Sequence, residues 1–439
     1  MFDVLRVPSW RSLSRGAMIS FGIRVLGAGL LYALHVLLAR WMNADGYGVY
    51  VFAISWTSFL AQFAALGLPN AALRFVPEYR STDRLALLSG FLRTSRGFIA
   101  AAALLLAAGA AVVVAVVPTG DMPRSALLVG VALAPLMALL LFETEVLRAC
   151  NRFAWSYAPN QVLRPLAIGL GAGGLVVLTG TVTPLQVLIA TGVVFVGMVG
   201  LQQWRSRTLL ESSAPSPERR PRRWLRVAVP LLLTSGFQLL LRKTDVVLLG
   251  MLMGSEEVGI YFAALRTAQI VTFLGFAVDA VAAPEISRLY HSEREDLQAT
   301  VARLAHWYFW PTLVAAVGLA FVAEPVLSLF GAAFTAGTPV MVVLMAGLVI
   351  NAAMGAQTHL LTLTGHERSC ASIYGACAVL NVALNLVGIW LYGALGAALA
   401  TATALTVRNL WIRRRVVALT GIAPSVLSLV RTPPPSRSS

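Results

Sequence analysis

The chain of 439 residues is 58% hydrophobic and 12% charged, with mean hydropathy +0.77. That balance excludes a soluble globular domain and points to a polytopic membrane protein. The net charge of +15 is almost wholly arginine, Lys243 being the single lysine, and Cys150, Cys370 and Cys377 lack the company that a disulfide framework or metal site needs.

Residues 1–15 carry Arg6, Arg11 and Arg15 opposite Phe2, Leu5, Trp10 and Leu13, the pattern of a short interfacial helix. The apolar run from Ala17 to Ala39 is longer than a signal-peptide core, so it reads as a retained first span. Further spans are expected at about 47–68, 97–117, 125–147, 157–179 and 183–203. A second set follows at about 227–250, 258–282, 306–328, 338–361, 370–391 and 394–412. Strand-type alternation is missing, which excludes a membrane β-barrel. Val416–Val430 is apolar but short and broken by Gly421 and Pro424, so it reads as interfacial; Thr432–Ser439 has a disordered composition.

The arginines test this count. With the N-terminus inside, 27 of the 34 basic residues fall in cytoplasmic segments, among them Arg74, Arg80, Arg84, Arg93, Arg96, Arg148, Arg152 and the cluster from Arg205 to Arg226. Only Arg40 and Arg124 fall outside, as the positive-inside rule requires. Both termini are then cytoplasmic. The basic charge faces anionic lipid rather than nucleic acid, for which no motif is present.

Arg205–Arg226 is rich in Ser, Pro and Arg and reads as a linker. The expected organisation is an interfacial segment (1–15), a six-helix bundle (16–204), a cytoplasmic linker (205–225), a second six-helix bundle (226–415) and a tail (416–439). A repeat supports it. A shift of 211 residues lays Met42 over Met253, Asp45 over Glu256, and Gly48-Val49-Tyr50 over Gly259-Ile260-Tyr261. An even number of spans per half makes this a parallel repeat with its pseudo-twofold axis along the membrane normal.

The charges inside the spans carry the functional signal. A helix beginning at Arg226 places Arg242 roughly 24 Å along its axis, at or beyond the middle of the hydrocarbon core. Arg242, Lys243 and Asp245 occupy one turn, and charges at that depth face protein or a wet cavity. An internal ion pair between Arg242 and Asp245 is the plainer reading. The sharper one is a cationic site: with Arg266 in the next span and Arg24 and Arg164 nearer the cytoplasmic end, it would grip phosphate or pyrophosphate bidentately. Snorkelling to headgroups is the alternative for Arg24 and Arg164. Glu143, Glu145 and Asp279 sit late in inward-going spans and read as boundary charges first, coupling-ion candidates second.

His35 and His359 read as hydrogen-bonded packing residues rather than proton relays. Gln62, Gln161, Gln238, Gln269, Gln357, Asn381 and Asn385 either line a lumen or bond across helices. Gly169–Gly174 is a packing stretch, since no strand precedes it as a phosphate loop would require. No nucleotide-binding domain, paired carboxylates or nucleophile constellation appears, and no cofactor is expected; the chain does not read as an enzyme.

Four stretches carry a likeness: Leu37–Tyr50 (LLARWMNADGYGVY), Leu66–Tyr79 (LGLPNAALRFVPEY), Thr244–Tyr261 (TDVVLLGMLMGSEEVGIY) and Ala282–Leu289 (AAPEISRL). In these and in span order, most of residues 15–415 resembles the polysaccharide repeat-unit flippases of the multidrug/oligosaccharidyl-lipid/polysaccharide exporter superfamily. The resemblance implies two six-helix bundles that alternate access to a central lumen. It also implies transfer of an undecaprenyl-pyrophosphate-linked oligosaccharide from the inner to the outer leaflet of a bacterial inner membrane, for O-antigen or exopolysaccharide synthesis beside other assembly proteins. Arg24, Arg242, Lys243, Arg266 and Arg164 would hold the pyrophosphate. An ion gradient would act through Asp245 or Asp279. A drug exporter of the same superfamily is the rival, disfavoured by five deep cations against one deep acid. A membrane polymerase or ligase would need a larger outer loop.

Overall fold

The computed structural model describes residues 10–210, 216–273, 294–355, 357–363 and 367–422, with Gly275, Val278, Ser425 and Val426. Its elements are α1 (Trp10–Ala64), α2 (Leu68–Ser81), α3 (Leu85–Val116), α4 (Arg124–Ala132), α5 (Ala134–Ala149), α6 (Phe153–Ala158) and α7 (Arg164–Thr179). They continue with α8 (Pro184–Leu210), α9 (Pro221–Leu252), α10 (Ser255–Ala268), α11 (Arg294–Phe321), α12 (Ala323–Ser328), α13 (Thr338–Ala353), α14 (Gln357–Leu363) and α15 (Glu367–Thr420). Helices alone, with no strand among the described residues, suit hydrocarbon, because a helix satisfies its backbone groups internally.

Among the described residues nine helices are long and apolar enough to cross a membrane. Two of these are each long enough to cross twice. The helix α1 is kinked at Asn43, with φ at 59°, and α15 at Gly393, with φ at 56°. Asn and Gly are the residues that tolerate this left-handed backbone. The expected span at 258–282 opens as α10 and a 3-10 turn, Gln269–Thr272, before leaving the described residues. Residues 1–9, most of the tail and Asp279 also lie outside them. Span order otherwise follows the sequence reading, and the fold is that of a multi-pass membrane protein.

By packing, the chain divides into two compact units: Met1–Ala263 with Leu329–Phe334, and Ala264–Ser328 with Thr335–Ser439. In the first unit α9 lies against α1 and α2. The contact begins before the span does. Glu218 donates its backbone N–H to the Ala86 carbonyl at 3.0 Å, and Trp224 donates from Nε1 to the Tyr79 hydroxyl at 3.0 Å. Trp224 is buried among Phe75, Phe91 and Ala228, and Arg223 pairs with Glu78 at 2.7 Å. The expected linker 205–225 is therefore shortened. The helix α8 runs on to Leu210, α9 starts at Pro221, and the stretch from Glu218 to Trp224 is docked on α2 and α3.

The repeat is visible in the backbone. Asn43 and Gly254, 211 residues apart, both have positive φ, 59° and 101°. One turn later Gly48 packs on the Ser255–Gly259 backbone, and Gly259 packs on Ala44 and Gly48. A methyl at Gly48 would overlap the Ser255 carbonyl, and one at Gly259 would overlap that of Ala44. Ala44 and Ser255 are themselves 211 apart, so the contact is reciprocal, as equivalent residues at a twofold axis must be.

In the second unit α13 packs on α15 and α11. The glycine-rich stretch of α7 packs as expected, with Gly169 facing Leu34 and Gly173 facing Trp41 on α1. All three cysteines are buried thiols.

Candidate functional site

In the first unit Arg24, Arg164 and Lys243 lie against aromatic rings, whereas Arg242 is exposed. On α1, Val25, Leu26 and Leu37 are exposed on one side. Arg24 lies on the other, in line with Gly27, Leu31, Leu34, His35 and Leu38. It donates to the Tyr157 hydroxyl at 3.0 Å, with its guanidinium 4.7 Å from that ring's centre. Directly beyond α6 the helix widens into a π-turn, Pro159–Leu163, against which Gly27 packs so closely that a methyl would stand 2.7 Å from the Gln161 carbonyl. Such π-turns cluster at functional sites.

Arg164 follows that π-turn. Its guanidinium covers Phe195 of α8, 5.8 Å from the ring centre. Arg24 and Arg164 thus make specific aromatic contacts within the unit, which snorkelling does not require.

On α9, Val229, Leu233 and Met251 are exposed. Arg242 projects from the opposite side of the helix, over Ser235, Gln238, Leu239, Val246 and Leu249, and it too is exposed there. Lys243 lies over the Phe262 ring, 5.3 Å from its centre. Asp245 is buried and accepts hydrogen bonds from the Tyr261 hydroxyl at 2.5 Å and the Val246 N–H at 2.8 Å. The same Phe262 ring meets His35 at 5.3 Å, and His35 Nδ1 shares a hydrogen bond of 3.1 Å with the Tyr47 hydroxyl. His35 is therefore a packed, hydrogen-bonded histidine. Gln62 donates to Ser235 Oγ at 2.9 Å, a bond between helices.

The repeat sharpens this. Shifted by 211, Arg242, Lys243, Thr244 and Asp245 fall on Leu31, Tyr32, Ala33 and Leu34. The two halves share a backbone device at Gly48 and Gly259, but only one carries charges 14–17 residues before it.

Arg266 falls in the second unit and donates to Gln269 at 3.3 Å. It stands four residues after Phe262 on the continuous helix α10, on the same face. Asp279 is outside the described residues, as are the side chain of His359 and all of Ala282–Leu289.

Two polar clusters escape sequence reasoning. Glu143 is fully buried and bound by Arg96, Nε to Oε1 at 2.7 Å, and by Ser206 at 2.7 Å. The helices α3, α5 and α8 enclose it, and Arg96 turns inward to meet it. Glu145 does pair with Arg148, at 2.8 Å. In the second unit Arg408 donates to Asn351 at 3.1 Å and lies over Tyr374 at 5.2 Å. Asn409 bridges Asn351 at 3.0 Å and Gln357 at 3.1 Å. Both clusters join residues 34 to 110 positions apart, which no helical spacing displays.

The sequence profile of a family described as polysaccharide biosynthesis protein matches residues 13–290. The chain belongs to that family. Solved structures share the fold. The lipid II flippase MurJ in an inward closed conformation is similar with TM-score 0.71 and 17% identity, over 92% of this chain and 87% of that one. An inward-facing multidrug resistance MATE family transporter of the MOP superfamily is similar with TM-score 0.69 and 13% identity, over 92% and 99%. An outward-facing one gives 0.62 and 14%, over 93% and 97%. At these identities the likeness establishes the fold. No curated protein matches the chain in sequence.

Proposed function

We propose that this protein is a flippase for an oligosaccharide carried on a polyprenyl pyrophosphate, moving it between leaflets for surface-polysaccharide assembly. The observation that carries the reading is Arg242 with Lys243: two cations in one deep turn of α9, where the other repeat has Leu31 and Tyr32. Burying a pyrophosphate without compensating cations would be prohibitive. Guanidinium groups supply paired donors for its oxygens, and Arg24, Arg164 and Arg266 are the further donors. The family match adds polysaccharide biosynthesis, and a lipid II flippase shares the fold.

In this reading the protein lies in a bacterial inner membrane with both termini cytoplasmic, as its arginine placement requires. Two repeats of six spans alternate access to the headgroup site while the lipid tail stays in the bilayer. Asp245, held by Tyr261, is the candidate for ion coupling, with Asp279 second. The shared fold of MATE transporters keeps drug export as a second reading, but organic cations would meet Arg242 and Lys243 with repulsion. The test is polysaccharide export in cells lacking their own flippase. Arg242→Ala and Lys243→Ala should each abolish export while membrane levels stay unchanged. Normal export by both would defeat the proposal.

A further inference from the structure

We propose that the last turns of α15 form a binding site for one anionic phospholipid of the bilayer, separate from the transport site. Val407, Leu410, Trp411, Arg414 and Arg415 line a groove of about 560 Å³ in the second unit. Their spacing of three and four places them on one stripe of the helix. The opposite stripe, Asn409, Ile412 and Val416, is buried at 2%, 0% and 0% exposure, so α15 packs into its unit on one side and opens the groove on the other.

The stripe is graded along its length. Val407, Leu410 and Trp411 come first and are apolar. One turn later Arg414 and Arg415 present two exposed guanidinium groups. A phospholipid has the same gradation: acyl chain, glycerol level, then a phosphate that guanidinium binds with two parallel hydrogen bonds. Trp411 sits at the change-over, the level indole prefers at a membrane surface. No Asp or Glu follows Glu367 in the chain, so no downstream carboxylate of α15 competes for the arginines. A free phosphate would leave the apolar half of the groove uncovered. A zwitterionic lipid would bring an ammonium beside two guanidinium groups. An anionic phospholipid satisfies both halves.

The experiment is native mass spectrometry of the full-length protein released from detergent, with phosphatidylglycerol or phosphatidylcholine added at equal concentration. The protein should retain one phosphatidylglycerol in preference to phosphatidylcholine. Arg414→Gln with Arg415→Gln should weaken that retention roughly 30-fold, the factor for two contacts of about 1 kcal/mol each. Trp411→Ala should weaken both lipids. Equal retention of the two lipids by the unaltered protein would overturn the proposal and requires no variant. Undiminished phosphatidylglycerol binding by the double variant, monodisperse on gel filtration, would overturn it as well. Export by the double variant is expected to persist, which separates this site from Arg242 and Lys243.

Discussion

Gly48 and Gly259 occupy the same place in the two repeats and pack backbone to backbone, so that a side chain on either would meet the carbonyl four residues before the other. Small residues let helices approach this closely where no hydrophobic force drives them together. The contact is reciprocal, so its loss should be reciprocal too. Gly48→Ala and Gly259→Ala should each destabilise the protein by about 1–3 kcal/mol, as overpacked sites do. Gly97→Ala, with open space around it, should be neutral. Thermal unfolding in detergent followed by fluorescence measures all three. A large asymmetry between the first two would mean that the pseudo-twofold does not govern packing here.

The buried pair Arg96–Glu143 gives a second expectation. Glu143→Ala leaves a guanidinium stranded among α3, α5 and α8, which costs about 3–5 kcal/mol. Replacing both partners, Arg96→Met with Glu143→Leu, should recover most of the loss. Melting temperatures of the two variants compare the outcomes; equal melting would return Glu143 to the surface.

Trp224 carries the third. Trp224→Phe keeps an aromatic ring but removes the hydrogen bond to Tyr79, worth about 0.5–1.5 kcal/mol. It should loosen the docked stretch, so limited proteolysis near residues 216–220 should accelerate while α9 stays inserted. Cleavage at an unchanged rate would show that the docking does not depend on this indole.

How much of this was legible beforehand follows from which forces act locally. Span order was readable because hydrocarbon demands long apolar helices, and arginine placement orders them. The repeat was readable because Gly48 and Gly259 recur with their neighbours. Hidden, though present in the periodicity, is α2: Leu68, Ala71, Ala72, Phe75, Val76 and Tyr79 form its buried stripe inside a segment that the arginines mark only as cytoplasmic. The π-turn at Pro159–Leu163 and the partners of Arg24, Arg96 and Arg408 were out of reach. Each depends on a residue brought from a distant helix, and no local pattern encodes it. Arg242 and Lys243 stood out as deep charges. That Lys243 packs on Phe262 while Arg242 is exposed needed coordinates.

Charge type should matter as well as charge. If pyrophosphate is the ligand, Arg242→Lys should retain partial export, because a point charge replaces a bidentate fork. Arg242→Gln should retain none. Export assays at matched expression distinguish these, and equal activity of the two variants would remove the guanidinium from the account.

The central claim is that Arg242 and Lys243 hold an anionic lipid headgroup. Its most direct test is binding of undecaprenyl pyrophosphate to the purified protein, measured by native mass spectrometry against the same protein with Arg242→Gln and Lys243→Gln. Two charge-assisted contacts predict a loss of at least about 100-fold in retention for the double variant. Undiminished retention by that variant would contradict the claim.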